Sequence, residues 1–525
     1  MKFILSNINL DVYYTDDDAV LFVYKKYEKF LKNTSAKVTI FKKSVDARKK
    51  DDIHFCFSFL IDVNNQNDIS KVKKIKNIKP YEEKKLEIIK RYCPKHRPIV
   101  IGAGPAGLFC AYFLAKNSLN PIVIERGDKI EDRDKSVNKF INEKILDEDS
   151  NIQFGEGGAG AFSDGKLMTR ISDPLCSEII ETLSRHSGIK ELLYQAHPHI
   201  GTDKLKECVK NLREEIIDLG GEFHFNEKMT DLIIKNGKIE GVKTNKDTYR
   251  TDDLIVASGH SAKDVYKLFY KHQIKMEQKS FSVGVRIEHK REDIDFIQYR
   301  DFSKNKNLGA AEYSIFHHLN NGHTAYSFCM CPGGTVVAAQ SEKETVIVNG
   351  MSEFKRDGRN SNSAICISVS PSDFGSELFD GLSFIEEIEK KAFIAGGKNY
   401  KAPVMTIGDF LKKKEIKCDV IPTYPLGVKE CDFKEIFPTF ITDSLFEGFL
   451  GFENKMKGFT SCGAILTAAE TRTSAPLKVL RNENFESPSV FGLYPCGEGA
   501  GMAGGIVSAA VDGAKAALKI ISKCI

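Results

Sequence analysis

Apolar positions follow three different rules along this chain. In the front segment, residues 2–10 (KFILSNINL) and 37–44 (KVTIFKKS) read as strands. Between them Val20, Val23, Tyr24, Tyr27, Phe30 and Leu31 recur at helical spacing. Ile53, Phe55, Phe57, Phe59 and Ile61 then alternate with His54, Cys56, Ser58 and Leu60, the period of a half-buried strand. This order predicts a small α+β domain over residues 1–63, followed by a lysine-rich, helical or extended linker over 64–96. The rule then changes. Ile99 to Ile101 and Ile122 to Ile124 are unbroken apolar runs, as in parallel strands buried on both faces. Between them Leu108, Ala111, Tyr112 and Ala115 predict a helix. Further along come a helix over about 204–219, a strand over 223–225, and a hairpin of 229–234 with 238–243 around Asn236-Gly237. A buried strand from residue 251 ends in the small-residue turn Ala257-Ser258-Gly259-His260. From residue 281 to about 480 the third rule holds: FSVGVRIEH, TAYSFCMC, TVVAAQ and AICISVS are strand-like runs separated by turns. They predict a mainly antiparallel sheet with a few helices, one near 383–394. A last helix is expected over 507–521.

The turn joining the first two buried runs carries chemistry. Gly102-Ala-Gly104-Pro-Ala106-Gly107 directly follows a strand and opens a helix. Gly102 allows the tight turn, Gly104 lets backbone approach a pyrophosphate, and Gly107 lets helix pack on strand. The unpaired N–H groups of the helix start form an anion site. The second strand ends in Glu125, placed to accept hydrogen bonds from ribose hydroxyls and to repel a 2′-phosphate. This is a Rossmann-type dinucleotide fingerprint. Near the C-terminus Cys496-Gly497-Glu498 and Gly504-Gly505-Ile506 repeat the theme, an acid followed by a glycine-rich helix start.

The fold class expected is therefore α/β. Residues 97–280 and 485–525 form a discontinuous dinucleotide-binding domain, 281–484 an inserted substrate domain, and 1–63 the small α+β domain.

Composition narrows the setting. The 525 residues are 42% hydrophobic and 28% charged, enough for two or three domains. No apolar run approaches ~18 residues, so no membrane span is expected. The start, MKFILSNINLDVYY, is interrupted by polar residues and shows no cleavage site, so no signal peptide is expected. The thirteen cysteines are scattered without a CxxC, which points to a reducing, cytoplasmic setting. Cys329-Met-Cys331 is either a redox pair or two buried apolar side chains; a regular strand would hold the sulfurs too far apart to bond. Residues 1–97 carry a net charge of +9 and the remainder −5. That front end is either a solvated lysine-rich face or a docking surface for an acidic partner, RNA included.

Other stretches stay open between chemistry and structure. Gly155-Glu-Gly157-Gly158-Ala-Gly160 with Ser163, Asp164, Gly165 and Lys166 is either a loop moulded on a flat ring, Lys166 being its cation, or a flexible surface loop. Arg126 and Arg133 stand where they can reach cofactor phosphates or adenine, and Arg133 fits a surface role equally well. Glu470-Thr-Arg472 is either an active-site motif or a structural ion pair. His197 and His199 lack further ligands at metal spacing, so no metal is expected; Thr202 or Asp203 is the expected cap of the helix that follows.

Three of these segments, in order, resemble the glutathione-reductase-type FAD-binding flavoproteins: the opening fingerprint, the VASGH turn and YPCGEGAGMAGG. GEGGAGAFSDGKL, ETRTSAP and KSVDARKK extend the resemblance, over nearly the whole chain, to an uncharacterised bacterial family of FAD-dependent dehydrogenases. The resemblance implies FAD as cofactor. Gly102, Gly104, Ala106 and Gly107 would cradle its pyrophosphate and Glu125 its adenosine ribose, while Met229 would pass adenine along its backbone. Ala257, Ser258 and Gly259 would flank the dinucleotide; Gly497, Glu498, Gly504, Gly505 and Ile506 would meet the ribityl chain and ring. Gly157, Gly158, Ser163 and Gly165 complete the cofactor set, and Lys166, Glu470 and Arg472 are the catalytic candidates. The leading expectation is an oxidoreductase passing hydride through flavin N5 to or from a small substrate. Its electron donor is open: no separate NAD(P)H domain is expected, and NAD(P)H docking transiently is one option. The alternatives are a flavoprotein that binds or modifies RNA through its basic front, and a non-redox flavin-binding scaffold.

Overall fold

A computed structural model describes residues 1–82, 94–413, 415–460 and 463–523. The chain opens with a four-stranded antiparallel sheet ordered Lys37–Asp46, His54–Asp62, Lys2–Asp11, Ile78–Tyr81. Burial along His54–Asp62 alternates at every residue, as its phenylalanine pattern requires, and the helix Asp16–Lys26 begins at a Thr15–Asp18 capping box. The expected linker over 64–96 is corrected here. Gln66–Val72 is a helix capped by Asn65, and Ile78–Tyr81 pairs with the first strand, so this stretch completes the small sheet. Lysines dominate its sequence because they cover the solvent side, while Val72 and Ile75 are buried. Residues 83–93 of the stretch lie outside the described residues.

The second sheet is parallel and five-stranded: Leu493–Pro495, Leu254–Val256, Ile99–Ile101, Ile122–Ile124, Glu222–His224. The chain leaves this sheet after Leu254–Val256 and re-enters it some 240 residues later with Leu493–Pro495. Between lies a seven-stranded sheet ordered Phe316–His318, Thr324–Cys331, Asn360–Val369, Phe281–Lys290, Ile465–Glu470, Ala402–Thr406, Val428–Glu430; only its last pair is parallel. Phe281–Lys290 is buried at nine consecutive positions because it lies at the centre of that sheet, with the helix Arg291–Tyr299 and the strand Val348–Met351 packed against it.

The helix Pro105–Lys116 positions the functional cleft. Its ten residues from Ala106 to Ala115 are all buried, which a surface helix would not tolerate. It lies between the parallel sheet and two other helices, Ile506–Ile521 and Thr202–Asp218. Backbones approach closely at two glycines. A Cβ on Gly107 would stand 1.9 Å from the Gly102 carbonyl oxygen, and one on Gly513 would stand 1.9 Å from that of Ala106. Gly107 seats the helix on its strand; Gly513 seats the C-terminal helix on this one. Gly513→Ala is therefore expected to overpack the seam and cost about 1–3 kcal/mol, read as a lower denaturation midpoint at unchanged m-value. An unchanged midpoint would show that the helices can separate without loss.

Candidate functional site

At the carboxyl ends of the parallel strands, between the two larger sheets, is a cleft of about 340 Å³. That is the usual place for a ligand in an open α/β sheet. Two helices point into it. Pro105–Lys116 starts at Gly104 and Ile506–Ile521 at Gly505, and neither start has a side-chain cap. The first-turn N–H groups of both are thus unsatisfied by any side chain, and each helix presents its positive end to the same space.

The glycines around the cleft separate into two kinds. Gly102 has φ +96°, and a Cβ there would meet the Ala257 carbonyl at 2.4 Å; the protein itself demands glycine. Gly104, by contrast, has φ −75°, and its missing Cβ would meet nothing nearer than the Gly158 Cα at 3.9 Å. Gly504 has no atom within 4 Å of such a Cβ, and at Gly505 the nearest is the Ser508 hydroxyl at 3.7 Å. Protein packing does not require glycine at these three positions. Bare backbone is left facing the cleft there.

Most residues expected at the site line it: Gly102, Gly104, Ala106, Glu125, Arg126, Gly158, Ser163, Gly165, Lys166, Met229, Ala257, Ser258, Gly259, Arg472, Gly497, Glu498, Gly504, Gly505 and Ile506. Glu125 is already engaged: its carboxylate accepts from the backbone N–H groups of Ala103 (2.8 Å), Gly127 and Gly155 (both 3.0 Å). It therefore ties the glycine loop to the first turn as well as facing the cleft. Arg126 is held by Asp264 at 2.9 Å and lies over the Phe154 ring at 4.3 Å. The turn at Gly497 is anchored by Asp512, which accepts its N–H at 2.7 Å and pairs with Arg481.

Four expected residues do not line the cleft. Gly107 is spent on helix packing, as above. Gly157 donates its N–H to the Ala103 carbonyl at 2.8 Å. Arg133 is fully buried, and its guanidinium donates to the carbonyls of Asn151 (2.6 Å), Ile152 (3.1 Å), Glu156 (2.6 Å) and Gly158 (2.9 Å). The loop 151–158 is wound round this side chain, so Arg133 shapes the cleft wall instead of reaching phosphate or adenine. Burial lowers its pKa to about 10, against the opposing pull of Glu125 and Glu156, and it stays charged. Glu470 is buried and paired with Arg286 through two hydrogen bonds of 2.9 and 3.0 Å. It is a structural ion pair, not an active-site acid.

Lys166 belongs to a compact network. Its ammonium lies 3.2 Å from Asp164 and 3.0 Å from Glu312. Arg356 bonds both of the same carboxylates, and His197 bonds Glu312 at 3.1 Å. Burial works against the Lys166 charge, but Asp164 and Glu312 outweigh it, and its pKa stands above the ordinary lysine value. Lys166 is a fixed cation and no general base. His199 meets the Phe354 carbonyl at 2.9 Å, so the two histidines serve structure. The Thr202–Asp218 helix starts at Gly201 without a side-chain cap: Thr202 bonds the Ala161 carbonyl and Asp203 accepts from Phe354, so neither expected cap is used. Elsewhere, Asp46, His54 and Cys56 bring one potential ligand atom each within 4.8 Å of one another, but the Arg48 guanidinium already bonds the Asp46 carboxylate three times.

Sequence reasoning missed several lining residues: Gln153, Phe154, His260 as a side chain, Phe328, Cys329 and Asn349. Gln153 Nε2 and His260 Nε2 are buried without a partner among the described residues. Burial, Arg472 and Lys279 lower the His260 pKa to about 3, so its ring is neutral. Its Nδ1 is 3.7 Å from the Glu498 carboxylate. Burial in the cleft raises Glu498 to about 7 despite the nearby Lys279. Arg472 lines the cleft with its guanidinium bonded to Glu389 at 2.7 and 3.0 Å.

Two families match consecutive parts of this architecture. Residues 96–272 match "Pyridine nucleotide-disulphide oxidoreductase", and residues 280–473 match "FAD-dependent protein, C-terminal domain-like". An uncharacterized protein of Clostridium beijerinckii is 44% identical over 530 residues, 99% of this chain and 98% of its own length. Among solved structures, the flavin-dependent brominase Bmp2 is 11% identical with a TM-score of 0.39, over 82% of this chain and 80% of its own. Glycine oxidase from Bacillus cereus is also 11% identical, with a TM-score of 0.35, over 81% of this chain and 97% of its own.

Two outcomes follow from the site. Arg133→Met strands four buried carbonyls and should cost roughly 3–5 kcal/mol in urea unfolding; Arg133→Lys should not rescue it, because one ammonium cannot span all four. Glu498 sets the second. With its native pKa above the unfolded value of about 4.3, the folded protein binds more protons between those two values, so stability falls as pH rises through that window. Unfolding midpoints of the ligand-free protein should drop from pH 4.5 to 7 by at most about 3 kcal/mol, and Glu498→Gln should remove that part of the slope.

Proposed function

We propose that this chain, which belongs to the same family as its Clostridium beijerinckii relative and matches an FAD-dependent protein model over residues 280–473, is an oxidoreductase that holds FAD across the cleft. On this reading it passes hydride to or from a small substrate. The observation that carries the reading is the pair of uncapped helix starts with bare glycine backbone at Gly104, Gly504 and Gly505. Each of those positions has room that no protein atom uses. The residues suit the group: backbone at Gly102 and Gly104 for the pyrophosphate, Glu125 for the adenosine ribose, the Met229 backbone for adenine, and Ala257 to Gly259 along the dinucleotide. Glu498 suits a ribityl hydroxyl, and the unpaired Gln153 and His260 nitrogens offer further polar partners.

When bound, the flavin supplies the two-electron chemistry. The chain's own residues supply placement and charge. The helix start at Ile506 stabilises negative charge in front of it by roughly 0.3–2 kcal/mol, depending on burial. Lys166, locked between Asp164 and Glu312, keeps a cation at the cleft wall without giving up a proton. Arg472 and neutral His260 limit the space left for substrate.

Purified protein offered FAD should turn yellow at one flavin per chain. Gly104→Ala should fold as stably as wild type, since its Cβ has room, yet bind FAD about tenfold or more weakly, about 1.4 kcal/mol per decade. Equal affinity would remove the argument from bare backbone. Anaerobic mixing of the loaded protein with NADH, NADPH and reduced ferredoxin, followed by the flavin spectrum, identifies the donor. A bound flavin that none of them reduces would favour a scaffold over an enzyme.

A further inference from the structure

A second cavity, of about 400 Å³, lies away from the cleft and shares no lining residue with it. Three separate parts of the chain bring cations to it. Lys50 comes from the hairpin tip of the front sheet, Arg300 from just beyond the helix Arg291–Tyr299, and Lys455 and Lys457 from the end of the helix Thr439–Lys455. Lys50 donates to the Gln298 carbonyl at 2.7 Å and to its side-chain oxygen at 2.9 Å. Lys455 donates to the Phe316 carbonyl and lies 4.4 Å from the centre of its ring. Among the described residues no Asp or Glu lines the cavity, and none of the four cations is in an ion pair. Elsewhere Lys166, Lys263, Arg356 and Arg472 each face a carboxylate. Burial and the neighbouring Arg300 charge pull the Lys50 pKa below the ordinary lysine value, as befits like charges left together.

Helix capping is the plain explanation, since basic side chains gather at helix carboxyl ends. It accounts for part only. Each such end carries about half a negative charge, so the two ends here offset about one of the four positive charges and leave about three. Arg300 is also held at φ +49°, a left-handed conformation rare outside glycine and asparagine, which capping alone does not require. The other walls are apolar: Ile297, Ile315 and Met456 are buried, and Phe316 is half exposed. A terminal phosphate carries about 1.5 to 2 negative charges at neutral pH, so a diphosphate ester carries about three. A carboxylate or a single phosphate would leave cations unmatched and the apolar wall bare.

We propose that this cavity binds a small organic diphosphate, of the nucleoside diphosphate class, with its phosphates among Lys50, Arg300, Lys455 and Lys457 and its ring on the Phe316 side. The volume lies in the range of small-molecule sites.

The test is calorimetric titration of FAD-saturated protein at low salt, with ADP, adenosine and inorganic phosphate as probes. ADP should bind at one per chain, and adenosine and phosphate each at least tenfold more weakly. Arg300→Gln and Lys457→Gln should each weaken ADP about tenfold or more. Lys457 is exposed, so its variant should do so at an unchanged unfolding midpoint. Lys76→Gln, at an exposed lysine of the front domain, should bind ADP as wild type. No ADP binding, adenosine or phosphate as tight as ADP, unchanged affinity in both cavity variants, or an equal loss in Lys76→Gln would each overturn the proposal. So would tighter binding of a single-stranded RNA oligonucleotide lost in the same two variants, which would make the cavity part of a nucleic-acid surface. Arg300 and Lys457 lie outside the cleft, so their variants read this site whether or not flavin is taken up; absence of flavin uptake overturns the cleft reading alone.

Discussion

Two positive helix ends facing one space set the terms for the rest of this fold. Pro105–Lys116 and Ile506–Ile521 are packed against each other through the Ala106 carbonyl and Gly513, so their starts cannot diverge. Each end carries roughly half a positive charge from its unsatisfied amides. No side chain caps either one. Holding two such ends together is unfavourable until negative charge lies between them, and the cleft keeps that position open. The chain's long detour through the seven-stranded sheet, between Leu254–Val256 and Leu493–Pro495, covers this space without filling it.

Local signals of this arrangement were readable in the amino-acid order. A tight turn, a close helix–strand contact and a strand-terminal acid each need a particular residue at a particular offset, so Gly102, Gly107 and Glu125 announce themselves. The glycine-rich start before Ile506 does the same. What could not be read is what long-range packing decides. Arg133 lies on a helix with the polar–apolar pattern of a surface element, and only the tertiary fold wraps residues 151–158 around it. Glu470 looks like a catalytic acid from its neighbours Thr471 and Arg472; its partner Arg286 is 184 residues away. Lysines over residues 64–79 mimic a linker because a short helix and an edge strand need few buried side chains.

Cys329 is the sharpest case. The regular period of a strand predicts an unbroken ladder, and that holds for every strand without a bulge. The shift between Phe328 and Cys331 breaks the period at one place, which happens to be where the strand meets the cleft.

The charged residues lining the seam between the two large sheets are bound to one another more than to the cleft. Lys263, near the parallel sheet, pairs with Glu342 at 2.8 Å and Glu386 at 3.0 Å from the other side, and Arg472 takes both oxygens of Glu389. Lys166 and Arg356 face Asp164 and Glu312, two cations against two anions. Buried charge in such closed sets costs desolvation but leaves little field outside the set. The preference for negative charge in the cleft therefore comes from backbone, at the two helix starts, and not from the lysine and arginines that line it. That division explains why glycine is kept where packing has no use for it: a side chain at Gly104 or Gly505 would cover the amides that supply the field.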